Sequence, residues 1–193
     1  RQVCCDPGLL PWMDVEPTKS AKIQLIVEKL ADIFQARHKV VIFSQFVGLI
    51  ERIKPVLERE FPDLSLFTLT GKTVDRARPV REFQEADHPA TILVSLKAGG
   101  TGITLHAADY VFLLDPWWNP SVEAQAIDRV HRLGQENPVF VYRVITTGTV
   151  EERVQALQRE KREMFKELID DLKDVSAPGE HLKTLKQLIA LQN

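Results

Sequence analysis

Five short apolar runs, rich in β-branched and aromatic residues, constrain the fold of this chain more than any other feature. They are VVIFS (40–44), LSLFTL (64–69), ATILVSL (90–96), YVFLLD (110–115) and VFVYRVIT (139–146). They show little alternation of polar and apolar residues. That is the pattern of strands covered on both faces, as in a parallel sheet. Between the runs the apolar spacing changes to three and four. Ile23, Ile26, Val27, Leu30, Ile33 and Phe34 form one such stripe, after a Ser20 expected to cap the helix. Leu49, Ile50, Ile53, Val56 and Leu57 form another, with Pro55 expected to kink it. Residues 75–86 and 121–133 are expected to be two further helices. Strands alternating with helices predict an α/β three-layer domain with a mainly parallel sheet.

After Thr149 the character changes. Residues 150–173 are densely charged, with Val154, Leu157, Phe165, Leu168 and Leu172 on a stripe. This reads as a long amphipathic helix packed over the domain. SAPG (176–179) breaks it, and HLKTLKQLIALQ reads as a last short helix. The expected organisation is a lead-in segment at 1–19, a main domain at 20–149 and C-terminal helices at 150–193.

Composition narrows the function classes. The 193 residues are 44% hydrophobic and 27% charged, with a formal net charge of −2. A sizeable core is expected, and no whole-protein attraction to nucleic acid or to a membrane surface. Any DNA binding must come from local patches. No apolar run is long enough to span a membrane. Cys4 and Cys5 are adjacent, a spacing that rarely meets disulfide geometry, so reduced thiols and an intracellular setting are expected. The start, RQVCCDPGLL, is no signal peptide; lacking an initiator Met, it reads as the start of a fragment. The five histidines, His38, His88, His106, His131 and His181, have no metal-ligand spacing, so no metal site is expected.

Four motifs are weighed for chemistry by their residue types and spacing. TGKTV (70–74) ends like a phosphate-binding loop. The full loop needs a glycine five residues before Gly71, where Leu66 stands inside a strand, so a plain turn is expected. SLKAGGTGITLHAAD (95–109) follows a buried strand at its C-terminal end, where α/β folds bind ligands. Its glycines allow close backbone approach, and Lys97, Thr101 and Thr104 add donors. DPWWNP (115–120) forms a rigid turn, with Pro120 opening a helix. Both indoles cannot easily point inward from one turn, so one is expected to be exposed. In QAIDRVHRLGQ (125–135), Gln125, Arg129 and Arg132 are spaced i, i+4 and i+7, one face of a helix. A solvated face paired with Asp128, Glu123 or Glu136 is the plain alternative.

Together these stretches resemble a known family. Ser95 to Gln135 looks like helicase motifs V and VI of the Swi/Snf family of DNA-translocating ATPases, and DPWWNPSVEAQAIDRVHRLGQ is closest to its bacterial branch. KVVIFSQF (39–46) resembles motif IV, and LTGKTVDRARPVREFQ (69–84) the segment between motifs IV and V. SAKIQLIVEKL (20–30) resembles the entry into the second lobe, and TGTVEERVQALQREKREMF the helix that braces the two lobes. Thr70 and Lys72 stand where many relatives have Asp and Ser, and either Arg76 or Arg78 fits the arginine that follows.

The resemblance implies a RecA-like lobe, the second of two, in a motor that moves along double-stranded DNA without separating its strands. ATP and Mg²⁺ would be held mainly by the first lobe, because no GxxxxGK[ST] and no DExx motif can be read in these residues. By resemblance, Arg129 and Arg132 are arginine fingers, and Gly100, Gly102, Gln125 and Asp128 serve nucleotide binding and coupling. Ser44, Gln45, Lys97, Thr104 and Trp118 would contact DNA. The partners implied are duplex DNA and the N-terminal RecA-like lobe. The location implied is the nucleoid of a bacterial cytoplasm or a eukaryotic nucleus. The chain alone is expected to hydrolyse no ATP. The competing readings are a non-catalytic DNA- or protein-binding module and a lobe of a strand-separating helicase.

Overall fold

A computed structural model of the chain describes residues 1–87, 89–99, 102–131 and 137–174. The chain divides into two compact units, Arg1–Gln155 and Ala156–Asn193.

The first unit is built on five parallel strands: β1 (Lys39–Ser44), β2 (Ser65–Leu69), β3 (Ala90–Ser95), β4 (Tyr110–Leu113) and β5 (Phe140–Arg143). Their order across the sheet is β2-β3-β1-β4-β5. Seven helices are labelled in chain order: α1 (Gln2–Cys5), α2 (Ala21–Gln35), α3 (Val47–Glu60), α4 (Ala77–Glu85), α5 (Leu96–Gly99), α6 (Pro120–Asp128) and α7 (Val150–Asp174). Short 3₁₀ turns at Pro7–Leu9 and Pro17–Lys19 fill the lead-in.

Alternate residues of each central strand point to opposite faces. Val40 and Ile42 join a core with Ile23, Ile26 and Leu30 of α2 and Leu49, Ile50 and Ile53 of α3. Val41 and Phe43 join a second core with Phe83 of α4, Ala98 of α5 and Ala126 of α6. The faces follow from the handedness of parallel crossovers. The step from β1 to β2 runs one way across the sheet and carries α3. Every later step runs the other way and carries α4, α5 or α6 on the opposite face.

The strand pattern holds with one correction. The fifth run was expected to have both faces covered over 139–146. It pairs only over Phe140–Arg143, at the edge of the sheet, and Phe140 and Tyr142 are exposed. Their rings stack on Tyr110 and Phe112 of the neighbouring strand, with centroids 5.1 Å and 5.0 Å apart. The aromatic content of this run serves cross-strand stacking rather than burial.

The helices differ from expectation mainly at their ends. Ser20 occupies the N-cap position of α2 but makes no capping bond. Its hydroxyl donates instead to the Cys5 carbonyl (3.5 Å). The C-terminal end of α2 closes on Arg37, which has a φ of +61°. His38 N–H donates to Ile33 O and Arg37 N–H to Phe34 O, which takes up two terminal carbonyls in a Schellman motif. α3 remains one helix with Pro55 inside it. α4 is shorter than the expected 75–86, and its last carbonyls, Phe83 O and Gln84 O, accept from buried Lys39 Nζ (3.1 and 3.0 Å).

In the second unit, α7 runs as a helix through Asp174. Val154, still in the first unit, is buried. The last expected helix, HLKTLKQLIALQ, lies outside the described residues, as does His88.

The lead-in is tied to the rest of the first unit by an ion pair at Asp6 and, through Cys5, by a contact to a buried ion pair. Asp6 accepts from Gly8 N–H (2.9 Å) and from Arg52 Nε of α3 (2.6 Å). Lys22 of α2 and Glu151 of α7 form a pair exposed by only 5% and 1%. Lys22 Nζ also donates to Leu114 O (2.7 Å) and Val144 O (3.0 Å), at the ends of β4 and β5. Glu151 accepts from Thr146 N–H (2.8 Å) and from the Cys5 thiol (3.3 Å). Both cysteines are free, and burial pushes the Cys5 thiol well above its ordinary pKa.

Removing one member of this pair strands the other as a buried charge. Lys22→Met is expected to cost about 3–5 kcal/mol of folding stability in urea melts. Lys22→Met with Glu151→Leu is expected to recover part of that loss. A single variant as stable as the wild type would refute the ionic role.

Candidate nucleotide and nucleic-acid face

The C-terminal ends of the five strands lie along one edge of the sheet. β1 and β4 are neighbours, yet the chain leaves β1 toward β2 on one side and β4 toward β5 on the other. Such a switch point opens a crevice between the two loops, the usual ligand position in an open α/β sheet.

Two sequence motifs meet there. Ser44 and Gln45 end β1, and Asp115 follows β4. Asp115 Oδ1 accepts from Ser44 Oγ (2.7 Å) and from Gln45 N–H (3.2 Å). Asp115 Oδ2 accepts from the Gln45 side-chain amide. That amide also donates to Pro116 O (3.4 Å). Ser44 is 0% exposed and Asp115 2%. Ser44 was expected to touch DNA. The structure encloses its hydroxyl and commits it to Asp115.

The turn after Asp115 is held from several sides. Trp117 N–H donates to Glu123 Oε1 (3.0 Å), and Glu123 Oε2 accepts from Arg143 Nε (3.1 Å). Asn119 Oδ1 accepts from Ser121 N–H (2.9 Å), capping α6, with Pro120 at its first position. Trp117 packs against the second core, while Trp118 is 54% exposed. One indole in and one out is the outcome expected of WW. The Arg1 guanidinium lies over the Trp118 ring at 5.6 Å and donates to Pro116 O.

The glycine-rich loop and the arginine segment are bonded to each other. Leu105 N–H donates to Arg129 O (2.8 Å), and Arg129 Nη1 donates to Ile103 O (3.4 Å). This corrects the expected helix over 121–133, which stops at Asp128 and leaves Arg129 as its C-cap. Arg129 N–H and Val130 N–H bond three residues back, to Ala126 O and Ile127 O. The last turn is thus tightened, and Leu105 takes a carbonyl that a continuing helix would use itself. Gln125 and Asp128 are exposed on α6. Arg132 lies outside the described residues, as do Gly100, Thr101, Gly134, Gln135 and Glu136, so the shared face of Gln125, Arg129 and Arg132 is described only for the first two. Lys97 falls in α5, but its side chain is likewise outside the described residues.

Gly102 has a φ of +53°, and a Cβ there would meet nothing within 4 Å. Backbone conformation, rather than space, calls for glycine at that point. Thr104 offers its backbone carbonyl to Gln84 Nε2 (3.0 Å), and Gln84 Oε1 accepts from Ala107 N–H (2.9 Å). Gln84 thereby clamps the loop from α4. TGKT is a turn after β2: Thr73 N–H donates to Thr70 O (3.1 Å), and Lys72 pairs with Glu51 of α3 (2.9 Å). Arg78 pairs with Glu82, and Arg76 stands at the N-cap of α4.

Sequence reading missed Asp115, Gln84 and Glu123 as organisers. All three sit inside quoted motifs, and Glu123, named only as a possible partner of Arg129 and Arg132, pairs with Arg143. The only signal at Asp115 and Gln84 was a polar residue at the end of an apolar strand or helix stripe.

The family model described as the helicase conserved C-terminal domain matches residues 21–134, from α2 to just past α6. The chain belongs to this family. It is 39% identical, over 90% of its length, to "DNA repair protein RAD5A" of Arabidopsis thaliana, and covers 17% of that protein. It is 36% identical, over 88% of its length, to "Putative ATP-dependent helicase/translocase YwqA" of Bacillus subtilis, covering 19% of it. Its fold matches the Sulfolobus solfataricus SWI2/SNF2 ATPase core in complex with dsDNA, with a TM-score of 0.70 and 31% identity over 88% of this chain and 36% of that one. The chain spans less than a fifth of the two curated relatives' length. Plant and bacterial relatives match at similar identity, so the similarity does not single out a bacterial branch.

The helicase C-terminal domain is thus a RecA-like α/β lobe of Swi2/Snf2 type. Burial pushes the Asp115 carboxyl above the usual aspartate range, opposed by the hydrogen bonds from Ser44 and Gln45 and by the Lys22 charge. Such a raised group favours the fold at low pH, and that contribution is lost as pH rises through the folded value. From about pH 7 down to about pH 4, the wild type should therefore gain stability relative to Asp115→Asn. Urea melts across that range measure it, and parallel stability curves would refute it.

Proposed function

We propose that this domain is the second lobe of a DNA-dependent ATPase that moves along double-stranded DNA, with the nucleotide held mainly by an N-terminal RecA-like lobe. The observation that carries the reading is the direct bonding of the glycine-rich loop to the arginine segment, Leu105 N–H to Arg129 O and Arg129 Nη1 to Ile103 O. That joint gives a shift at the nucleotide side a direct route to the loop that carries Gly102 and Thr104. Likeness to an ATPase core solved with duplex DNA supports the same reading.

ATP, when bound with Mg²⁺, supplies the phosphoryl group that is transferred. Arg129 and Arg132 are proposed to meet that group from across the cleft. A guanidinium is a planar fork of five donors, which suits a phosphoryl group whose charge is spread over its oxygens. The fit to this chain lies in Arg129, whose guanidinium is oriented by the Ile103 carbonyl at the rim of the glycine-rich loop. Gln125 and Asp128, exposed on α6, face outward for coupling to the other lobe. Gly100 and Gly102 provide close backbone approach. Lys97, Thr104 and Trp118 supply the DNA side, through contacts that position the duplex without reading its sequence. Such a motor works in a nucleoid or a nucleus.

In the full-length protein, Arg132→Ala is expected to lower DNA-stimulated ATP hydrolysis by about 10³-fold or more while DNA affinity stays nearly constant. Equal loss of both would assign the arginine to DNA. The 193-residue chain by itself is expected to show no DNA-stimulated ATP hydrolysis, and measurable turnover would overturn the two-lobe reading.

A further inference from the structure

The resemblance assigns Gln45 to DNA, but its bonds point to another role. Asp115 Oδ2 and Pro116 O are both acceptors, so only the NH₂ side of the Gln45 amide can face them. Its two hydrogens are therefore both committed within the fold. Its backbone N–H is committed as well, to Asp115 (3.2 and 3.3 Å). The remaining side-chain group is Oε1, an acceptor. A phosphodiester oxygen is also an acceptor, so Gln45 in this arrangement has no donor to offer the DNA backbone. Ser44 is enclosed, donates to Asp115, and accepts from Phe46 N–H (3.0 Å).

These bonds join the start of α3 to the turn that presents Trp118. Glu123 fastens the same turn at Trp117 N–H. The exposed indole thus stands on a mount fixed from β1, β4 and α6.

We propose that Gln45 and Asp115 are positioning residues: Asp115 gathers the donors of Ser44 and Gln45 to fix the turn that carries Trp118, and neither side chain itself grips nucleic acid. The inference rests on the reading of this edge as the DNA-facing side of a motor. It reassigns Gln45, which the resemblance places on DNA, and adds Asp115.

The test is a double-mutant cycle in the full-length protein, with ATP hydrolysis titrated against duplex DNA. Gln45→Ala and Asp115→Asn should each raise the half-saturating DNA concentration by about tenfold, the scale of one lost charge-assisted hydrogen bond. The maximal rate at saturating DNA should fall by much less. Because both residues act through one clamp, the double variant should be little worse than the stronger single variant. Multiplying effects would overturn the proposal and make Gln45 an independent DNA contact. A fall in maximal rate with half-saturation unchanged would also overturn it, as would no effect from either variant. If Asp115→Asn fails to fold, Ser44→Ala takes its place in the cycle under the same criterion. Wild-type hydrolysis indifferent to DNA would sink the motor reading itself, and this inference with it.

Discussion

The first unit depends on one buried charge pair more than on any other polar contact. Lys22 and Glu151 are 129 residues apart in sequence and almost wholly enclosed. A buried ammonium needs three acceptors. Glu151 offers both carboxylate oxygens (2.9 and 2.7 Å), and Leu114 and Val144 add carbonyls from the ends of β4 and β5. Glu151 in turn receives Thr146 N–H and the Cys5 thiol. The lead-in, α2, two strand ends and the start of α7 therefore converge on two side chains. Enclosed charges gain little net stability over an apolar pair but tolerate few alternative arrangements. Here that intolerance sets where β4 releases the chain toward Asp115.

Asp115 is the next step outward. It lies one residue beyond a Lys22 acceptor, and its own oxygens collect the end of β1. From there the bonding reaches Gln45, Pro116 and the Trp118 turn. Gln84 and Arg129 hold the glycine-rich loop in the same manner. The candidate face is thus a set of loops, each fastened by a polar side chain from a different element.

The architecture was largely legible. Parallel central strands are buried on both faces, so they appear as uninterrupted apolar runs, and the helices between them keep a 3.6-residue period. The exposure of Phe140 and Tyr142 was not legible. A strand is central or peripheral only through the order of its neighbours, which no single run records. The end of α6 was hidden for a similar reason, because Leu105, from another loop, takes the Arg129 carbonyl. Ser20 looked like a helix cap by residue type, yet its hydroxyl bonds to Cys5.

By itself, the sequence determined the layering, the sheet direction, the family and the stretches that form the candidate sites. Those properties depend on local period and on short residue patterns, which a linear chain displays directly. Only the tertiary structure decided what each polar residue in those stretches does. Asp115 is 71 residues from Ser44 and 70 from Gln45 in sequence, and within hydrogen-bond distance of both in space. Whether a donor faces a ligand or a neighbouring carboxylate is settled by the acceptor that folding brings beside it.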